Sequence, residues 1–177
     1  MEKEAIISKI NSNHNSFIDY ISHLTEEEFE YCYADKWTAG QQLEHIYLSV
    51  KPLNQALVLP KFLLKFLFGK ANRPSKTYEE LVKRYQDKLQ AGGRATSRFV
   101  PKVIPISQKM ELIENLNLMI PKLTSKITRF TETDLDVIIL PHPLLGKITL
   151  REMLYFTAYH VEHHQELTKR NLANRNN

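Results

Sequence analysis

The sequence predicts an all-α protein: a four-helix bundle with extra short helices in the connection between its second and third long helices. Three observations carry that reading. Apolar residues recur at helical spacing through four long segments. Glycine is scarce, 5 in 177 residues, which disfavours a turn-rich β fold. Four segments open on a threonine with Glu or Gln three residues on, the reciprocal cap of a helix start.

The first helix is predicted over Lys3–His23, where Ile7, Ile10, His14, Phe17 and Ile21 make one stripe. A connector follows, opening on Thr25 with Glu28 in capping position. The second helix begins at Thr38, capped by Gln41, and carries Leu43, Ile46, Val50, Leu53 and Leu57. Pro52 falls inside that pattern and is expected to kink the helix or end it early. Residues 58–106 are an excursion. It holds an apolar-basic segment (Lys61–Phe68), a helix opened by Thr77 and Glu80 and closed by Gly92-Gly93, and a proline-containing loop. Within the segment, Lys61 and Lys65 share a face, and Phe62, Leu63, Phe66 and Leu67 are expected to pack onto the bundle.

The third long helix starts near Ser107. Its stripe of Leu112, Leu116, Met119, Leu123, Ile127 and Phe130 keeps register across Pro121. The stretch "DLDVIILPHPLLGKI" reads as extended or looped, compatible with short β pieces near Val137–Leu140 but with no sheet placed there. The last helix opens at Thr149 with Glu152 and runs to about Asn171. The length suits one domain, 1–177, with 171–177 a flexible polar tail.

Composition narrows the function classes. The net charge of +4 is spread along the chain, without the Lys/Arg stripe interleaved with aromatics that nucleic acid needs, so no nucleic acid is expected. The longest apolar run, Ala56–Gly69, is broken by Pro60, Lys61 and Lys65, so no membrane span is expected. The N-terminus has no signal-peptide pattern, and a cytoplasmic location is the default. Cys32 is the one cysteine; it reads as structural, and no CxxC motif exists.

Three of the seven histidines crowd into "YHVEHHQEL". His160 and His164 are four residues apart, hence on one helix face, together with Met153, Phe156 and Leu167. Both imidazoles therefore point into an apolar stripe, where each leaves a nitrogen that needs a partner. A metal ion satisfies both at once. Glu162 points away from His160, so this is not an HExxH zinc motif. A third ligand is sought among His14, His23, His45, His142 and His163. His45 borders the stripe of the second helix. His14 reads first as a satisfied core histidine and His142 as a turn residue.

Two segments, "KWTAGQQLEHIYLS" and "HPLLGKITLREMLYFTAYHVEHHQEL", resemble the second-helix and last-helix signatures of the DinB-like superfamily, the small DinB/YfiT-type metalloproteins. The resemblance implies a four-helix bundle with a three-histidine site near one end, and by motif position it assigns the metal ligands to His45, His160 and His164. No role falls to His163. Zinc, nickel or iron are the divalent metals expected. The family includes thiol-dependent S-transferases and hydrolases, so the implied partner is a small-molecule substrate, with a low-molecular-weight thiol first. A non-catalytic metal-binding or stress-related dimeric module is the alternative, and a homodimer is compatible with either. No dedicated general base is marked: Glu44 and Glu152 read as surface or capping residues.

Overall fold

Thr25, Thr38, Thr77 and Thr149 each close a capping box. The hydroxyl accepts the N–H of the residue three on, whose side chain accepts the threonine N–H in return. In the computed structural model, which describes residues 1–175, these caps open α2 (Glu26–Glu30), α3 (Ala39–Ala56), α5 (Tyr78–Gln90) and α8 (Leu150–Ala173). A fifth box, Thr131 with Asp134, opens the short α7 (Glu132–Val137). The remaining helices are α1 (Lys3–Ser22), α4 (Lys61–Phe68) and α6 (Lys109–Ile127).

The four long helices form the bundle. α1 packs on α6 and α8, and α3 packs on the same two, so α1 and α3 stand at opposite corners. Ile10, Phe17, Leu43, Ile46, Leu116, Leu123, Leu154 and Val161 fill the core between them. Gly40 lets α2 and the loop before α6 close onto the start of α3. A Cβ there would lie 2.7 Å from the Phe29 ring and 3.0 Å from the Ile104 carbonyl oxygen. Pro52 and Pro121 both sit inside continuous helices. Packing of Leu53 and Leu57 holds the last turn of α3 despite the N–H that Pro52 lacks.

Three expectations are corrected. The stretch after α7 is a hairpin: β1 (Ile139–His142) pairs antiparallel with β2 (Gly146–Thr149), Leu140 opposite Ile148. Four-residue strands containing Pro141 show too little alternation to be read in advance. Their turn is held by a side chain, with the His142 imidazole accepting the N–H groups of Leu144 and Leu145. The aromatic face of α4 does not pack on the bundle. Leu64 is buried, but Phe62 and Phe66 are 73% and 83% exposed, because Lys61 and Lys65 turn inward to bind Asp134. Cys32 does not sit in a covered apolar connector: it is exposed, and its thiol donates to the Lys36 carbonyl.

The last helix continues to Ala173, so Asn171 and Leu172, assigned to the tail, are helical, and Leu172 packs against the core. Asn176 and Asn177 lie outside the described residues. Among the described residues no helix is long and apolar enough to cross a membrane.

Candidate metal centre

His160 and His164 are successive turns of the inner face of α8, and His45 comes from the facing surface of α3. All three are buried, and one ring nitrogen of each lies within 4.8 Å of the other two. The His160 Nε2 is 3.2 Å from His45 Nε2 and 3.0 Å from His164 Nε2.

The opposite edges of the rings decide what those nitrogens carry. His45 Nδ1–H donates to the Phe99 carbonyl at 2.7 Å, and His164 Nδ1–H donates to Gln42 Oε1. A neutral imidazole holds one ring proton, so the Nε2 atoms of His45 and His164 are bare lone pairs aimed at the same point as His160 Nε2. One proton on His160 Nε2 could bridge to one neighbour but not both. A cation satisfies all three. Zinc–imidazole bonds of about 2.0–2.1 Å put tetrahedral ligand atoms about 3.3 Å apart, close to the spacings seen here. A backbone carbonyl and a side-chain amide are the kinds of outer partner by which proteins orient metal-binding histidines.

Electrostatics agree with neutral rings. Burial, then the mutual repulsion of the cluster, holds His160 and His164 well below the usual histidine range. Burial lowers His45 too, against the opposing pull of the Phe99 carbonyl.

Aromatic rings wall the cluster. Trp37 lies 4.9 Å from the His45 ring, and Phe156 stacks on His160 at 4.5 Å between centroids. Tyr85, from the excursion, sets its ring 6.0 Å from His160. The cluster opens into a cavity of about 1190 Å³ whose walls include Val50, Leu53, Leu140 and Met153. Its rim is cationic: Lys36, Arg94, Arg98 and Arg170 are exposed there, against one acid, Asp35.

The remaining histidines fall into place. His14 lines the cavity but stays outside the cluster; its Nδ1–H donates to the Ile10 carbonyl, while its buried Nε2 has no partner. His163 lines the cavity beside Tyr85, its pKa lowered to about 4 by burial and then by Arg170. His142 serves the hairpin turn, as expected, and also lines the cavity. His23 is exposed at the C-terminal cap of α1, its Nδ1–H bonded to the Asp19 carbonyl. Glu162 is exposed and accepts from Asn13. Glu44 accepts the Lys102 N–H at the surface. Glu152 is a capping residue but not a surface one: fully buried, it is gripped by Arg73 at 2.6 and 2.8 Å.

Gln42, Tyr85 and the Phe99 carbonyl were not legible as site groups. Gln42 is three positions before His45, on the same face of α3, and that spacing could have singled it out. A backbone carbonyl from a distant turn leaves no trace in the sequence.

A helical bundle with a buried three-imidazole cluster opening into an apolar cavity defines a class of candidate metalloproteins. The chain belongs to the DinB superfamily, whose family model matches residues 9–167. Neither a curated protein nor a solved structure matches the chain.

Proposed function

We propose that this protein is a metal-dependent enzyme acting on a small molecule, with His45, His160 and His164 holding one divalent zinc, nickel or iron ion. The observation that carries the reading is the convergence of three imidazole nitrogens, two of them fixed as lone pairs by Phe99 and Gln42. Among the described residues no fourth His, Cys, Asp or Glu joins the group, which suits a catalytic rather than a closed structural site. Bound there, the ion supplies a Lewis acid that acidifies a thiol or a water.

The chain's own residues do the rest. Neutral imidazoles leave the ion its full positive charge. Trp37, Phe156 and Tyr85 exclude bulk water from one side of the cluster and strengthen the local field. The apolar cavity receives the body of the substrate, and the rim cations draw in an anionic group. In thiol transfer, the substrate thiol loses its proton to solvent and its sulfur attacks an electrophilic carbon. A sulfur–carbon bond forms as the leaving group departs with its electron pair. We place thiol transfer ahead of hydrolysis because thiol-dependent S-transferases are part of the family resemblance.

The test is a cobalt-substituted protein. Addition of a low-molecular-weight thiol should produce a sulfur-to-metal charge-transfer band, and turnover of epoxide or chlorinated electrophiles should depend on which metal is loaded. Hydrolysis without such a band would favour the water route. No turnover in either series, with no spectral response to thiols, would leave a binding module.

A further inference from the structure

The cavity carries a second polar device, set one ring away from the histidine cluster. His142 is the last residue of β1, and its Nδ1 accepts two backbone N–H groups, from Leu144 at 3.1 Å and Leu145 at 3.0 Å. A nitrogen that accepts two hydrogen bonds cannot carry a proton, so the ring proton of neutral His142 is on Nε2. The turn thus fixes the tautomer, and protonation of the ring would break both turn bonds. That Nε2–H makes no hydrogen bond to any described residue, although the imidazole lines the cavity. Its ring meets Phe156 edge-on at 4.2 Å, and Phe156 in turn stacks on His160 at 4.5 Å. Of the other polar groups here, Thr157 and Ser49 give their hydroxyl protons to their own helices and Gln42 holds His164, while Tyr85 and His163 line the same cavity nearer the cluster.

We infer that His142 is a substrate-binding donor, whose Nε2–H holds an acceptor oxygen of a largely apolar ligand in the cavity beside the histidine cluster. The ligand class is a carbonyl- or epoxide-type compound, one oxygen acceptor on an apolar body. A donor locked as N–H and kept neutral is suited to negative charge that grows on that oxygen when the neighbouring carbon is attacked, without an ion pair to break afterwards. As part of a catalytic site this rests on the proposed enzyme; as a binding site it is read on metal-free protein, so the two fail separately.

Two substitutions divide the roles of the ring. In His142→Asn the amide oxygen stands where Nδ1 was, keeping the turn acceptor and losing the Nε2–H. In His142→Gln the terminal amide N–H₂ reaches the Nε2 position and keeps the donor. The probes are acetophenone and α-methylstyrene, which differ by a carbonyl in place of a C=CH₂ group, titrated into the metal-free protein. The preference for acetophenone should fall about fivefold in His142→Asn, the worth of one net hydrogen bond, and be kept in His142→Gln. An unchanged preference in a folded His142→Asn protein would overturn the assignment. A second readout needs no variant: histidine ¹⁵N spectra of the metal-free protein should show His142 protonated on Nε2, with that proton moving downfield on acetophenone but not on α-methylstyrene. The opposite tautomer, or a proton indifferent to both probes, would equally overturn it.

Discussion

His45 Nε2 lies 3.2 Å from His160 Nε2 although 115 positions separate the two residues. Helical spacing relates His160 to His164; only the packing of α3 on α8 relates either to His45. The cluster is therefore a product of the bundle, and its properties can be tested apart from the proposed reaction.

Metal content should track the three rings and their outer partners. His45→Ala, His160→Ala and His164→Ala proteins, loaded and dialysed, should hold far less than one equivalent of metal by elemental analysis while keeping their helical circular dichroism. Gln42→Ala, which frees His164 to turn, should weaken affinity roughly 10- to 100-fold. Full, unweakened occupancy in His45→Ala would remove it from the ligand set.

His14 should make the fold acid-sensitive. Burial lowers its pKa to about 4, against the smaller upward pull of the Ile10 carbonyl, whereas an unfolded histidine titrates near 6.5. As pH falls below 6.5 the unfolded chain takes up the proton first, so stability drops from there down to about 4 and levels off below it. From pH 7 to pH 5 this one residue should cost about 2 kcal/mol. Urea unfolding of His14→Leu should show a shallower loss over that interval; parallel curves for the two proteins would count against the buried neutral ring.

The Arg73–Glu152 pair should be asymmetric. Burial alone would raise the Glu152 carboxyl, yet Arg73 and the N–H groups of Lys76 and Thr149 hold it below the usual range. Arg73→Ala strands a fully buried carboxylate and should cost about 2 kcal/mol, less than a wholly buried pair because solvent reaches Arg73. Glu152→Gln keeps an acceptor for the Thr149 N–H and leaves the charge on the more accessible partner, so it should cost less. A reversed order in chemical denaturation would refute this account of α8's start.

α4 should respond on one face only. Leu64 is fully buried and Phe66 is 83% exposed. Leu64→Ala should cost about 2–4 kcal/mol and Phe66→Ser less than about 0.5 kcal/mol. Comparable losses at both positions would mean that the aromatic face is covered in solution.

Much of the architecture could be read from the residues because the signals are local. A threonine with Glu or Gln three positions on caps a helix through bonds spanning one turn, and the stripe Leu43, Ile46, Val50 faces inward wherever the helix docks. His160 and His164 share a face by geometry alone. What stayed hidden depends on distant partners. The pair Lys61 and Lys65 turned α4 over because Asp134, about seventy residues away, binds both. The hairpin at β1 and β2 needed the His142 ring to hold its turn, and the same ring faces a cavity that exists only once α3, α5 and α8 have assembled. The tautomers of His45 and His164 were set by Phe99 and Gln42, one a backbone carbonyl and the other a side chain on a neighbouring helix. Residue type and spacing along the chain fixed which groups share a helix face, since that is a matter of pitch. Which groups meet across the bundle, and where each ring proton sits, was decided by tertiary packing, because hydrogen bonds and lone-pair repulsion act over distances that only the folded chain makes short.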